Sequence, residues 1–249
     1  MSTDDIQIRS CETHAEYQRC VEMQTTVWGF EDADLVPKEI FIVAAETGGQ
    51  VYGAFDGDKL VGFAMAMPAI HGGVTYLHSH MLAVHEGYRN RSIGRRLKLY
   101  QRAEALRVGI DLMEWTFDPL ALKNAHLNIN RLGAVMRRYV RNQYGETSSP
   151  LHAGVPTDRL VAVWKLNSPR VMSLLAGEAV GSKDGGAVEA EVAIPTDIDR
   201  LRLDDPAAAK DILDSVREKF ERSFSDGLTV TGFRKSEKEG VYLLTHHEN

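Results

Sequence analysis

The stretch that decides the fold runs from Val84 to Tyr100 and reads VHEGYRNRSIGRRLKLY. A run typical of a strand ends here, a short polar turn follows, and a helix opens on Gly94. Cations in the first turn of a helix lie at the positive end of its dipole, which is unfavourable unless an anion binds there. Because the first N–H groups of a helix suit phosphate, the stretch predicts a pyrophosphate-binding turn. The five cations close to the turn are Arg89, Arg91, Arg95, Arg96 and Lys98.

The composition is that of an ordinary soluble protein. The 249 residues are enough for a sizeable core and for more than one folding unit. The net charge of -6 argues against general nucleic-acid binding, so the basic turn is a local feature. Cys11 and Cys20 are the only cysteines, so we expect no disulfide framework and a reducing, cytoplasmic location. The polar start predicts no signal peptide, and no apolar run reaches the length of a membrane span.

The spacing of apolar residues predicts alternating strands and helices. Strands are predicted at 6–10, 50–55, 59–67, 75–84 and 111–117, and near 134–141 and 159–166. Helices are predicted at 13–27, 38–47, 93–108 and 120–132. In the helix over 93–108, the positions expected to face the core are Leu97, Ala103, Leu106 and Val108.

The C-terminal part has a different composition. Residues 167–193 are mostly small and polar, which predicts a linker. A strand near 192–195, a helix from Pro206 to about Phe224 and a terminal hairpin are expected to follow it. These elements are too few for an independent core, so residues 194–249 are expected to pack on the first domain (1–166) or to complete a homodimer.

The order of these elements, with the turn from Arg89 to Gly94, resembles the GNAT superfamily of acyl-CoA-dependent N-acyltransferases. Within it the chain is similar to a poorly characterised bacterial branch with a C-terminal extension. The family pattern Q/R-x-x-G-x-G/A is matched by Arg89 and Gly94, whereas Ser92 stands where glycine is usual and tolerates a positive φ less well. The resemblance covers about residues 5–166. It implies an α/β (α+β) fold with a mixed, mostly antiparallel central sheet flanked by helices.

The resemblance also implies the position of an acyl-CoA cosubstrate, acetyl-CoA or another acyl-CoA. Backbone N–H groups of the turn would hold the CoA pyrophosphate, and the end of the preceding strand would bind pantetheine and the acyl carbonyl, as in strand addition. Asn124 corresponds to an asparagine that contacts the pantetheine arm in this family. The implied CoA-binding residues are Leu82, Ala83, Val84, Arg89, Asn90, Arg91, Ser92, Ile93, Gly94, Arg95 and Asn124. No metal is assigned, because the histidines lack ligand spacing.

His80 is the leading candidate for the general base that would take a proton from the attacking amine. Strand alternation predicts that His80 shares a face with Leu82 and Val84, whereas Ser79 points to the opposite face. His78 is the reserve candidate. The sequence is equally compatible with a structural histidine that hydrogen-bonds to a neighbouring residue.

Further candidates lie on the elements that follow. Glu114 is a rival base or would orient His80, because a buried glutamate can have its pKa raised. Either Glu114 or Asp118 would orient His80 or bind the substrate ammonium. Arg159 would hold an acceptor carboxylate bidentately; a structural Asp158–Arg159 pair is equally compatible. The tyrosine that acts as an acid in this family corresponds here to Ile129. Tyr139 or Tyr144 would then supply the proton, or water would.

Three functions remain open at this point. The first is transfer of an acetyl or related acyl group from CoA to a small, amino-acid-like amine. The second is a non-catalytic acyl-CoA-binding regulatory module, which Ser92 and Ile129 keep open. The third is another nucleotide-binding α/β protein, which is disfavoured because no G-x-x-x-x-G-K-S/T motif is present.

Overall fold

The computed structural model describes residues 5–145, 154–177 and 186–247. The strands are β1 Ile6–Ser10, β2 Gln50–Asp56, β3 Lys59–His71, β4 Val74–Val84, β5 Leu112–Phe117, β6 Val135–Val140, β7 Arg159–Lys165, β8 Ala190–Pro195, β9 Leu228–Lys235 and β10 Glu239–His246. The helices are α1 His14–Trp28, α2 Lys38–Glu46, α3 Ile93–Arg107, α4 Leu122–Ala125, α5 Pro169–Leu175, α6 Ile198–Asp204 and α7 Pro206–Ser225. The predicted fold class is confirmed: strands pair mostly antiparallel, and helices flank them.

The described residues form two compact units, one of residues 5–114 and one of residues 115–145, 154–177 and 186–247. In the first unit β1, β2, β3 and β4 are antiparallel neighbours in that order. The start of β5 then pairs parallel to β4, with Leu77 opposite Met113 and His78 opposite Glu114. No helix in the described ranges combines the length and the apolar character needed to cross a membrane.

The first unit has a core on each face of its sheet. On one face Cys20 of α1 and Phe41 of α2 pack against Phe63 of β3, and all three are fully buried. On the other face Ile93 and Leu97 of α3 pack against small strand residues such as Ala54 and Ala64. Successive side chains of β2 and β3 point to opposite faces of the sheet, so they pack against two different sets of helices.

The buried face of α3 differs from the prediction. Leu97 is buried as expected, but Ala103 is exposed and Val108 is 55% exposed. The face that meets the sheet instead includes two polar residues, Lys98 and Gln101. The prediction of the buried face used apolar residues alone, so it left Lys98 and Gln101 on the solvent side. The buried face of α3 is therefore rotated from the predicted one. The buried residues of α3 are Ile93, Leu97, Lys98, Gln101 and Ala105.

The second unit has the strand order β5-β7-β6-β9-β10-β8. Buried hydrogen bonds join the C-terminal elements of this unit to residues that come earlier in the chain. One runs from the Tyr242 hydroxyl on β10 to the Pro119 carbonyl (2.7 Å). The stretch from 167 to 193 contains ordered structure at both ends. The helix α5 carries Arg170, whose guanidinium donates to the carbonyls of Gly133 and Thr231, and β8 begins at Ala190. The predicted division into 1–166, a linker and 194–249 stays a prediction.

Gly49 is a position where the fold of the first unit excludes a side chain. A Cβ atom there would lie 2.5 Å from the carbonyl oxygen of Ala44 and 2.5 Å from that of Ala66. We expect Gly49→Ala to lower the free energy of unfolding by about 1–3 kcal/mol, because two backbone segments would have to move. Urea denaturation measures this change.

Gly87→Ala is the matched control, because the nearest atom to its added Cβ is 3.7 Å away. It should change stability far less. Equal stability losses in the two variants would show that the close approach at Gly49 does not constrain the fold.

Candidate active site

The turn between β4 and α3 has two left-handed residues. His85 begins it by accepting a hydrogen bond from the Gly87 N–H at its Nδ1 atom (3.3 Å). Asn90 then has φ 63° and Ser92 has φ 58°. Ser92 therefore adopts the conformation that glycine would favour at this motif position, at the conformational cost that a Cβ atom adds.

The first turn of α3 begins without the usual capping. Ser92 occupies the N-cap position, yet its side chain makes no capping hydrogen bond, and the first turn has no acidic residue. Its carbonyl accepts the first helical bond, from the Arg96 N–H at 2.9 Å. A left-handed residue followed by helical ones turns successive N–H groups toward one side, which forms a concave site for an anion. The start of α3 thus has the geometry of a phosphate site.

Gly94 leaves space open at the helix start. A Cβ atom built on it would have Leu82 Cδ2 at 3.7 Å and Val84 Cγ2 at 3.8 Å as its nearest neighbours, which is ordinary contact. Neither the backbone nor the packing of the protein therefore requires glycine at this position. A glycine that the fold does not require is consistent with close approach of a ligand.

The cations near the turn have different environments. The Arg91 guanidinium lies 5.1 Å from the centre of the Tyr88 ring, and the Tyr88 hydroxyl donates to Asp56 Oδ2 at 2.7 Å. The Arg89 Nε donates to the carbonyl of Val84 at 3.4 Å, close to the limit for a hydrogen bond. Lys98 differs from the others, because its side chain lies inside the unit and is only 2% exposed. Lys98 is therefore close to the turn in the sequence but buried inside the unit.

Lys98 belongs to a buried polar cluster that the sequence did not reveal. Its Nζ donates to Ser79 Oγ at 2.6 Å, and Ser79 Oγ donates to Gln101 Oε1 at 3.1 Å. Gln50 joins the cluster through a hydrogen bond from its Nε2 to the Gln101 carbonyl at 3.0 Å. Burial lowers the pKa of Lys98 well below its usual value, because a charged ammonium is costly away from water. The cluster therefore favours a neutral lysine.

An irregularity in β4 explains how Ser79 reaches α3. Met65 of β3 pairs with Met81, but Met67 pairs with His78, so β4 has one more residue than β3 in this interval. Such a β-bulge interrupts the alternation of side chains. Ser79 consequently contacts α3, the helix that also lies over Leu82 and Val84. The prediction that Ser79 faces away from Leu82 and Val84 is wrong, because simple alternation does not hold across the bulge.

The structure brings three of the predicted candidates together in the first unit. His80 is partly buried, and burial lowers its pKa, which favours the neutral imidazole. The rings of His78 and His80 have centroids 6.0 Å apart. Glu114 is the partner of His78 in the β4–β5 pairing. A neutral imidazole next to a second histidine and a carboxylate is a chemically sensible setting for proton transfer.

The remaining catalytic and cofactor candidates lie in the second unit. Asn124 is exposed on α4, and Ile129 is completely buried in the π-helical turn His126–Arg131 that follows. The Tyr139 hydroxyl donates to Asp158 Oδ2 at 2.7 Å, and its ring stacks on Phe220. Burial, together with this hydrogen bond, raises the pKa of Tyr139. A phenol held in this way is a weaker acid than a free tyrosine.

The substrate candidates Asp118 and Arg159 also lie in the second unit. Asp118 accepts hydrogen bonds from the Leu120 N–H at 2.8 Å and from Arg202 Nη2 at 2.6 Å. Arg159 donates to the carbonyl of Asp158 at 2.9 Å and lies 5.1 Å from the centre of the Tyr144 ring. Sequence analysis missed Arg202, because 84 positions separate it from Asp118. In the described part of the chain, no group of three His, Cys, Asp or Glu side chains is placed to hold a metal ion.

Comparison with known proteins identifies relatives. Residues 8–127 match the sequence model of the Acetyltransferase (GNAT) family. Among solved structures, yncA of Salmonella typhimurium with its cofactor acetyl-CoA has a TM-score of 0.54 at 16% identity, covering 66% of this chain and 95% of that chain. The ribosomal-protein-S18-alanine N-acetyltransferase of Escherichia coli has a TM-score of 0.52 at 15% identity, with coverages of 66% and 95%. Arabidopsis thaliana Naa50, bound to a bisubstrate analogue, has a TM-score of 0.51 at 14% identity, with coverages of 64% and 97%. No curated protein matches the sequence.

The buried lysine gives a pH-dependent prediction. In the unfolded chain a lysine keeps its proton up to about pH 10.4, whereas burial lowers the pKa of Lys98 in the folded protein. Between these two values the unfolded state binds more protons, so the stability of the wild type rises with pH. The substitution Lys98→Met removes this pH-dependent contribution to the stability. The melting temperature of the variant minus that of the wild type should therefore fall as pH rises from neutral to about pH 10.

Lys165→Met is the matched control for this experiment. Lys165 is exposed, so its replacement should give a difference in melting temperature that changes little with pH. If the difference in melting temperature for Lys98→Met changes as little with pH as that for Lys165→Met, Lys98 is charged in the folded protein.

Proposed function

Because residues 8–127 of this chain belong to the acetyltransferase (GNAT) family, we propose that the protein transfers an acetyl or related acyl group from CoA to the amine of a small acceptor. The observation that carries the proposal is the start of α3. Ser92 is left-handed and makes no side-chain cap, the first turn has no acidic residue, and Gly94 leaves open space. These features suit a bound diphosphate, which CoA contains.

The proposed CoA-binding residues are those that the resemblance to the family implies. The backbone N–H groups from Asn90 to Arg95 bind the diphosphate, and Arg89 and Arg91 add positive charge. The backbone of Leu82, Ala83 and Val84 binds pantetheine and the acyl carbonyl in the manner of an added strand. Asn124 is exposed, as a contact to the pantetheine arm requires, and its role stays a prediction.

The proposed chemistry is direct attack of a neutral amine on the thioester carbonyl. His80 accepts a proton from the amine, directly or through water, because its neutral form is favoured by burial. Backbone N–H groups stabilise the negative charge that develops on the carbonyl oxygen. Glu114 is proposed to assist from its place beside His78, and it is the rival base. The departing thiolate takes its proton from water or from Tyr139, whose role as an acid stays a prediction.

A second function is favoured by one specific observation. The position that holds a tyrosine in the resembled family is filled here by the fully buried Ile129, and the Tyr139 hydroxyl already donates to Asp158. A chain without an acid for the thiolate would suit an acyl-CoA-binding regulatory module. Release of free CoA thiol from acetyl-CoA, with any amine of a broad panel, separates an enzyme from such a module. The predicted homodimer and cytoplasmic location also stay predictions.

Gly94 provides the test of CoA binding. We expect Gly94→Glu to weaken CoA binding by about tenfold or more, because bulk and negative charge would oppose the diphosphate. Gly94→Ala adds a methyl group without charge, which would make only ordinary contacts within the protein, so it should keep the fold and weaken CoA binding less than Gly94→Glu. Calorimetry measures the affinity, and thermal melting checks that both variants fold. Equal CoA affinity in Gly94→Glu and the wild type would exclude this helix start as the diphosphate site.

His80 provides the test of catalysis. We expect His80→Ala to lower turnover by about 100-fold or more while the affinity for CoA changes little. Because the pKa of His80 is lowered, the acid limb of the wild-type pH–rate profile should lie below the usual histidine value of about 6.5.

The exposed residue His71 supplies the matched control, and His71→Ala should keep full turnover. If His80→Ala keeps normal turnover and Glu114→Gln abolishes it, Glu114 is the base and the assignment of His80 is wrong.

A further inference from the structure

The bulge in β4 contains the residue proposed as the general base. The pairing with β3 shifts there, so that Ser79 and His80 together lie opposite the single residue Ala66. A bulge leaves an extra residue outside the ladder of backbone hydrogen bonds and changes the direction of nearby side chains. Because Ser79 directly precedes His80, the contacts that fix Ser79 also fix the backbone that carries the imidazole.

The Ser79 hydroxyl joins this bulge to α3. It accepts a hydrogen bond from Lys98 Nζ at 2.6 Å and donates one to Gln101 Oε1 at 3.1 Å. Ser79 is 5% exposed, Lys98 is 2% exposed and Gln101 is fully buried, so these bonds are shielded from water. Lys98 and Gln101 are three positions apart on the helix and therefore lie on the same face. The helix thus holds both the acceptor and the donor side of one hydroxyl.

The same part of α3 is fixed to a second strand. Gln50 of β2 donates from its Nε2 to the Gln101 carbonyl at 3.0 Å. Leu97, next to Lys98, packs in the apolar cluster on this face of the sheet. Because a buried polar group that loses its partner is costly, movement of the bulge would break bonds that water does not replace. The helix therefore acts as a fixed support for the bulge.

The chemistry of this cluster suits positioning better than packing. A buried lysine costs free energy that an apolar side chain of similar size would not. Burial lowers the pKa of Lys98, which favours the neutral amine. Hydrogen bonds, unlike apolar contacts, depend steeply on distance and angle. The cluster therefore defines where the Ser79 hydroxyl lies, which apolar residues in its place would not do.

We propose that Lys98 and Ser79 are positioning residues that hold the imidazole of His80 in place for proton transfer, with Lys98 acting through the Ser79 hydroxyl. The use of His80 as a base rests on the proposed function, whereas the effect of the two residues on the imidazole does not. A displacement of about 1 Å at a reacting group can lower a rate by about 100-fold. A bulge without its support would permit such a displacement.

The imidazole can be followed by NMR without any turnover. Its resonance is assigned by its absence from the spectrum of His80→Ala, and its shift with pH gives the pKa. Ser79→Ala removes both hydrogen bonds of the hydroxyl. We expect the pKa of His80, which burial lowers in the wild type, to rise toward the usual histidine value as the freed bulge exposes the ring. In the thiol-release assay kcat should fall by about tenfold or more, while the affinity for CoA in calorimetry changes little.

Tyr17→Phe is the matched control. It removes another buried hydrogen bond of the same unit, from the Tyr17 hydroxyl on α1 to the Cys11 carbonyl at 2.8 Å. Its loss of stability, measured by thermal melting, should be comparable to that of Ser79→Ala. The pKa of His80 and kcat should nevertheless stay at their wild-type values, because this bond does not reach the bulge.

A double-mutant cycle tests whether Lys98 acts through Ser79. Lys98→Met should raise the pKa of His80 and lower kcat, as Ser79→Ala does. The variant with both substitutions should change these two quantities no more than Ser79→Ala alone, because the lysine has no hydroxyl left to act on. Two independent effects would instead add.

The results separate this proposal from the proposed function. An unchanged pKa of His80 in Ser79→Ala overturns the positioning role, as does an equal shift in Tyr17→Phe. Additive changes in the double variant overturn the action of Lys98 through Ser79. If the pKa rises in Ser79→Ala but the wild type releases no thiol with any amine, the positioning role stands and the proposed function fails. If the pKa rises and kcat does not fall, the positioning role again stands, and His80 is not the base.

Discussion

The start of α3 is the constraint on which the account depends. The helix begins on a left-handed serine whose side chain does not cap it, and its first turn carries arginines and no acid. The positive end of the helix dipole and the arginine charges repel each other, and only an anion or solvent can relieve this. The same helix packs through Ile93 and Leu97 on the sheet, so the turn is held by the core of its unit. A rigid element thus presents a set of N–H groups that suits a diphosphate.

The polar interior beneath α3 has a cost that a purely structural helix would avoid. Burying a lysine lowers its pKa, and apolar residues of similar size would pack there at lower cost. The hydrogen bonds through Ser79 and Gln101 offset part of that cost and join α3 to the bulge in β4. The bulge lies next to His80, the residue proposed as the base. The turn proposed to bind diphosphate and the residue proposed as the base are therefore supported by a single helix and a single strand.

Much of the fold was readable from the sequence, because its signals are local. The strand β2, the strand that ends at Val84 and the helix that begins at Ile93 lie where the spacing of apolar residues predicts them. The buried face of α3 was not readable, because polarity is a poor guide where Lys98 and Gln101 hydrogen-bond inside the protein. The bulge at Ser79 was missed for a related reason. The prediction from side-chain alternation assumes that the strands pair without interruption, and a β-bulge has no reliable sequence signature.

The candidate site likewise has a part that the sequence predicts and a part that only the structure reveals. The motif from Arg89 to Gly94 is contiguous, so the sequence was sufficient to propose it, and the left-handed Ser92 is consistent with that proposal. Arg202 could not be connected to Asp118 from the sequence, because only the folded chain brings the two residues together. The C-terminal region therefore contributes the charged partner of Asp118.

Amide hydrogen–deuterium exchange is the most direct measurement of the central claim. On addition of CoA, the amides from Asn90 to Arg95 should become protected, whereas pantetheine, which lacks the diphosphate, should leave their exchange unchanged. Unchanged exchange of these amides at a saturating concentration of CoA, or equal protection by pantetheine, would contradict the account.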